Sequence, residues 1–284
     1  LKVYRASSAQ VFSFEELHPS NTAATNIAII FAFIMSSQFT YSLLPHQDTG
    51  VPSKVMKDLL AGGTFLESIA KVPYEWKSFE TVAAAQANYS LKTREITADV
   101  FARQNTNLSA SEEDSLRAFR NGALTITTGH QLMICGGTVF FEAKVLGAVA
   151  LAKAASAALG IKVVPIFWMA TEDHDFEEIS SFHIGEHRFT WRLPDAKGPV
   201  GRLPTDSLAE HLDSLLESVP LNAAQKELLQ PLLQAYKECE NLSEATRQWV
   251  RQWAEGLGLL VLDGQDVSLK AAAEALWREE MKGV

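Results

Sequence analysis

The run from Lys162 to Ile179 constrains this chain more than any other stretch. Its first part, Lys-Val-Val-Pro-Ile-Phe-Trp-Met-Ala, is apolar and rich in β-branched and aromatic residues, and it has the length of one buried strand. It stops abruptly, and five of the seven residues from Glu172 to Glu178 are acidic. A strand of an α/β domain that ends in polar residues delivers them to the carboxyl edge of the sheet, where ligands bind. A plainer reading competes with this one. Thr171 is a suitable helix cap, and acids in a first turn complement the helix dipole. His174 favours a site: an imidazole between Asp173 and Asp175 caps nothing and is a proton carrier set among carboxylates.

The neighbouring segments make this strand part of an α/β unit. Ala123-Leu-Thr-Ile-Thr-Thr reads as a strand that ends at Gly129-His130-Gln131. Gly136-Gly137-Thr138 follows, then a helical run to Leu159 whose few charges are Glu142, Lys144 and Lys153, which predicts a helix buried on a sheet. Strand, glycine loop, helix and strand form a βαβ unit with parallel strands. Upstream, Tyr89 to Asn105 reads as a helix with Leu91, Ile96, Val100 and Phe101 on one face, and Ser111-Glu-Glu-Asp opens another.

Downstream, Ser181 to Leu193 alternates around Gly185-Glu186 as a hairpin, and Gly198-Pro-Val-Gly-Arg202 is a loop. Residues 205–255 form a helical block in which Asn241 and Glu244 offer a capping box, Gly258 to Asp263 returns to strand, and a last helix puts Leu269, Ala273, Leu276 and Trp277 on one face. The predicted division is 1–88, an N-terminal segment of unclear role; 89–204, the first part of an α/β core; 205–255, a helical insertion; and 256–284, a return to the core.

The net charge of −9 argues against nucleic acid as a partner. Cys135 and Cys239 are too few for a disulfide framework, which suits a reducing cytoplasm. Thr22 to Pro45 carries no charge, and Ile27 to Met35 is entirely apolar, but Ser36, Ser37, Gln38, Thr40 and Ser42 break the run. A buried strand or helix is expected there rather than a membrane span.

His130 and His174 each follow a strand of the same βαβ unit, so both belong at one sheet edge. Glycines 136 and 137 allow backbone amides to approach an anion, although the loop is neither GxGxxG nor a P-loop and a plain turn explains it equally well. Zinc on His130, His174 and His183 lacks HExxH or cysteine-pair spacing, so no metal is assigned. Cys135 follows Leu-Met-Ile and reads as a buried thiol. Arg202 is a candidate anion clamp set against the reading of a solvated loop charge.

Thr127-Thr-Gly-His-Gln, the Gly136-Gly137 loop, Val164 to Ile179, Gly198-Pro-Val-Gly-Arg and Gly258 to Asp263 together resemble the bacillithiol biosynthesis cysteine-adding enzyme family, from about Tyr89 onward. The resemblance implies a Rossmann-like core, with a coiled coil further along the family's chain, and a ligase that joins cysteine to glucosaminyl-malate through an amide bond. The candidate catalytic residues are then His174, Asp173, Asp175 and His130, with Thr128, Gly129, Gln131, Gly136, Gly137, Lys144, Glu172 and Arg202 binding substrate. No cofactor is fixed; ATP or another nucleotide is left open, as is a homodimer. The alternatives are a non-catalytic nucleotide or small-molecule binding module and a metal-dependent hydrolase. The sequence shows one clear βαβ unit and one further strand–helix pair, so the core is expected to be truncated. An unpaired outer strand edge and an exposed apolar face at Leu276 and Trp277 are expected with it.

Overall fold

The computed structural model describes residues 2–3, 44–45, 53–60, 81, 84, 91–137, 139–184 and 187–283. The chain forms two units, residues 1–85 and 86–284. In the first, Lys2–Val3 pairs antiparallel with Leu44–Pro45, and Lys54–Leu60 is helical. The uncharged segment after Thr22, apart from its last two residues, lies outside the described residues, as do Thr138 and the turn residues Gly185 and Glu186. Among the described residues no helix is long and apolar enough to cross a membrane.

The second unit is built on three parallel strands: β1 (Leu124–His130), β2 (Val163–Met169) and β5 (Leu260–Asp263), with β2 in the middle. This is the sheet predicted from the apolar runs. Its β2 residues alternate between two cores. Val164 and Ile166 join Leu260 and Leu262 against α1 (Leu91–Gln104) and α2 (Ala110–Arg120), through Ala98, Val100, Phe101, Leu116 and Phe119. Phe167, Met169 and Val261 face the opposite layer, with Phe141, Val145 and Val149 of α3 (Val139–Leu159). A strand covered on both faces reads as a continuous apolar run, which is why β2 stood out.

The short helix α4 (Phe176–Ile179) follows β2, and β3 (Ser181–Ile184) pairs antiparallel with β4 (His187–Thr190) as a separate hairpin. Then come α5 (Asp206–Ser218), α6 (Ala223–Glu238) and α7 (Leu242–Trp253), and after β5 the helix α8 (Val267–Glu280). Helix α7 joins the α3 layer, where Trp249 stacks on Phe141 at 5.7 Å between centroids.

Several local expectations are corrected. Helix α2 is capped by Ser109 rather than opened at Ser111: its side chain accepts from the Glu112 amide, and the Glu112 carboxylate accepts from the Ser109 amide at 2.8 Å. Leu91 is exposed, and Arg94 takes a buried place on α1 by donating to the carbonyls of Phe119 and Ala123. Helix α3 is buried on one face only. Beyond the exposed Val139 and Phe140 at its start, its outer face is largely alanine and glycine, which favour or tolerate a helix. Asn241 caps α7 by accepting the Glu244 amide at 3.0 Å, without the reciprocal bond of a box.

The outer edge of β5 is not bare. The Gln104 side-chain amide pairs with both backbone groups of Asp263, donating at 3.0 Å and accepting at 2.9 Å. Asn105 donates to the Val261 carbonyl at 3.0 Å. The end of α1 thus supplies the bonds a further strand would make along β5. On α8 the expectation holds: Leu276 is 64% and Trp277 47% exposed.

Candidate functional site

Parallel pairing sets His130, Met169 and Asp263 at one level along the carboxyl edge of the sheet. His130 is the last residue of β1 rather than part of the loop that follows. Its ring stands edge-on to Phe141 at 5.3 Å and to Phe140 at 6.1 Å, and Nδ1 lies 3.1 Å from the Gln131 carbonyl oxygen. The β2 end is tied down beside it. The Ala170 amide donates to the His130 carbonyl at 3.0 Å, and Thr171, fully buried, donates its hydroxyl to Asp263. Asp263 also accepts from the Ser243 hydroxyl and, at 2.8 Å, from the Gln265 amide. Thr171 therefore joins two strand ends and is not a helix cap.

The acidic run after β2 divides into distinct roles. Asp173 accepts the amides of His174 at 2.6 Å and Asp175 at 3.0 Å, as well as the side-chain amide of Gln131. These bonds, led by the one from Gln131, hold the Asp173 carboxyl below its ordinary range. Asp175 is the cap of α4, accepting from the Glu178 amide at 3.1 Å. The capping interpretation of the acids is thus correct for Asp175. His174 precedes α4, so it does not share a helix face with Glu178. It is exposed, as are Asp175 and Glu172, and its ring makes no hydrogen bond among the described residues.

The bridge between the β1 and β2 loops is Gln131. Its Nε2 donates to Asp173 and, at 3.3 Å, to Glu178, which fixes the orientation of the amide. Its Oε1 is buried and has no partner among the described residues. A buried acceptor left unmade costs about 1–3 kcal/mol and calls for a ligand donor or water.

The glycine loop is more committed than its sequence suggests. The Cys135 amide donates to the Tyr236 hydroxyl at 3.0 Å and the Gly137 amide to the Ile134 carbonyl at 3.1 Å. Gly136 has φ +76°, and a Cβ there would lie 2.9 Å from the Trp249 ring. Tight packing and left-handed backbone therefore account for the glycine, and the Cys135 and Gly137 amides are already spent within the fold. Burial pushes the Cys135 thiol well above its ordinary range.

The remaining candidates surround this edge. Thr128 is half-buried and Gly129 exposed near the end of β1, and the Lys144 ammonium lies 5.5 Å over the Phe140 ring. Arg202 is exposed on a 3₁₀ turn strapped across the β2 loop, where the Val200 amide donates to the Asp173 carbonyl at 2.7 Å and Gly201 to that of Thr171 at 3.1 Å. Among the described residues no three His, Cys, Asp or Glu side chains are grouped to hold a metal ion. Sequence reasoning passed over Glu142 in the first turn of α3, whose carboxyl burial pushes up; its signal was a solitary acid in an apolar helix. Arg247 was also missed. With Arg251 it lines a polar cavity of about 540 Å³ beside β5, distinct from the candidate residues.

Residues 40–283 match the family described as "Bacillithiol biosynthesis BshC, N-terminal Rossmann-like domain". The chain belongs to the BshC family. The match starts well before Tyr89, so the resemblance read from the motifs understated its extent. A BshC relative from Flavobacterium johnsoniae is 31% identical over 245 residues, covering 84% of this chain and 46% of the relative. One from Cytophaga hutchinsonii is 29% identical over 249 residues, covering 86% and 45%. Both are named "Putative cysteine ligase BshC". The chain thus spans under half the length of these relatives, and its parallel α/β unit is the Rossmann-like part of the BshC family.

Proposed function

We propose that this chain carries the catalytic edge of a cytoplasmic ligase of bacillithiol biosynthesis, which joins the carboxyl group of cysteine to the amine of glucosaminyl-malate. The observation that carries the reading is the unpartnered, buried Oε1 of Gln131, oriented by Asp173 and Glu178 at the carboxyl edge of the sheet. An attacking amine supplies the N–H donor that this oxygen lacks. In this reading His174 takes the proton that the amine loses as the carbon–nitrogen bond forms, and Asp173 fixes the loop through the amides on either side of the His174 ring. His130 closes the β1 side, and Arg202 and Lys144 supply positive charge for substrate carboxylates.

The carboxyl oxygen leaves with an activating group. Two amides of the glycine loop are spent internally, and no step is routed through a nucleotide. In the same reading residues 89–204 and 256–284 form the catalytic core, 205–255 is an insertion, the partners are small molecules rather than nucleic acid or membrane, and a homodimer is the assembly to look for. The test is product formation from cysteine and glucosaminyl-malate, with and without ATP, in the wild type and in His174→Ala. A loss of about 10²–10⁴ in rate is expected for the variant. Undiminished turnover removes His174 from the mechanism.

A further inference from the structure

The cavity beside β5 contains a charge that the ligase reading leaves unused. The connection between α1 and α2 forms one wall and α7 the other, where Arg247 and Arg251 stand one turn apart. Arg251 is satisfied: Nε and Nη2 bind the Glu112 carboxylate at 2.7 and 3.2 Å, and the Thr106 and Asn107 carbonyls accept at 3.0 and 3.1 Å. Arg247 is half-buried and makes no hydrogen bond or ion pair among the described residues. Asp263, whose charge acts on it, already accepts from Thr171, Ser243 and the Gln265 amide.

A guanidinium has five N–H donors in a planar fork, and withdrawing it from water without acceptors is costly. Its complement is a carboxylate or a phosphate. The opposite charge on the same wall distinguishes between the two. Glu244 lies one turn before Arg247, and the exposed Glu255 also lines the cavity; neither carboxylate has a side-chain partner among the described residues. A phosphate would meet both acids, whereas a molecule with one carboxylate and one ammonium satisfies both signs. We propose that this cavity binds a free α-amino acid, with its carboxylate on Arg247 and its ammonium towards Glu244. The volume of about 540 Å³ also admits a side chain and water. Burial and the like charge of Arg251 both weaken the hold of Arg247 on its proton, opposed by Asp263 and Glu244; a bound carboxylate adds to that opposition.

The ligase reading itself places cysteine at the sheet edge, so L-serine is the deciding probe for this cavity, read by binding rather than turnover. Calorimetry on the whole 284-residue chain tests it with L-cysteine and L-serine as probes, alongside 3-mercaptopropionate, which lacks the amine, and cysteamine, which lacks the carboxylate. Both amino acids should bind, and each truncated probe should bind at least about tenfold more weakly. Arg247→Gln should weaken L-serine binding by roughly 10- to 100-fold, the effect of losing a charge-assisted pair. Glu244→Gln should weaken L-serine but not 3-mercaptopropionate, and it remains informative if Arg247→Gln melts early. L-Serine binding that survives Arg247→Gln but is lost in His174→Ala would assign the amino acid to the sheet edge and overturn the proposal. Equal affinity for L-cysteine and 3-mercaptopropionate would overturn it too, as would no heat from any amino acid at millimolar concentration.

Discussion

Replacing Glu112 with glutamine isolates the contact that ties α2 to α7. Glu112 is 8% exposed, and its carboxylate accepts from the Ser109 amide and hydroxyl, both at 2.8 Å, and from Arg251 at 2.7 Å. Removing one partner of a buried pair costs about 3–5 kcal/mol when the other charge is stranded. Arg251 keeps two backbone carbonyls, and its side chain is 17% exposed, so about 2–4 kcal/mol is expected here. For a unit of this size that lowers the melting temperature by about 4–16 °C. Burial alone would push the Glu112 carboxyl up, but the bonds from Arg251 and Ser109 together hold it below its ordinary 4.5. A carboxyl depressed in the folded state contributes stability fully above its unfolded value and loses it as pH falls through the folded one. The gap between wild type and Glu112→Gln should therefore be full at neutral pH and narrow steadily below pH 4.5. Urea unfolding from neutral pH down to about pH 3 measures it. A gap under about 0.5 kcal/mol at neutral pH, or one unchanged in acid, would refute the reasoning.

Gly136→Ala places a methyl 2.9 Å from Trp249 at φ +76° and should cost about 2–4 kcal/mol in urea unfolding; a neutral result would mean that Trp249 moves freely. Gln104→Leu strips the side-chain bonds from the Asp263 backbone, so light scattering should show concentration-dependent self-association absent from the wild type. The half-buried Cys135 thiol, held in its neutral form, should resist iodoacetamide in the native protein and react in urea, with mass spectrometry as the readout.

What was legible in the sequence was what local pattern encodes. The strand at Val163–Met169 showed because a centre strand covered on both faces is apolar throughout. The shared edge of His130 and His174 followed from the βαβ order alone. What was not legible depends on residues far apart along the chain. Arg251 meets Glu112 across 139 positions and Gln104 reaches Asp263 across 159, so no window of sequence contains either pair. Ser109 and Ser111 are equally good caps on paper, and the backbone decides for Ser109 by closing a reciprocal bond with Glu112. Gly136 resembled half of an anion cradle because a glycine needed for ring packing and one needed for ligand approach are the same letter. Asp263 ends its strand as the acidic run ends β2, but only the fold shows that its oxygens are already occupied.

The central claim is that the amine-bearing substrate sits against Gln131 and His174 at the carboxyl edge of the sheet. Ring signals of isotope-labelled histidines, followed while glucosaminyl-malate is titrated into the chain, test it most directly. The account predicts that the His130 and His174 rings shift with saturation while His211, on α5, stays in place. If the ligand binds by calorimetry and those two rings do not move, or His211 moves instead, the site lies elsewhere.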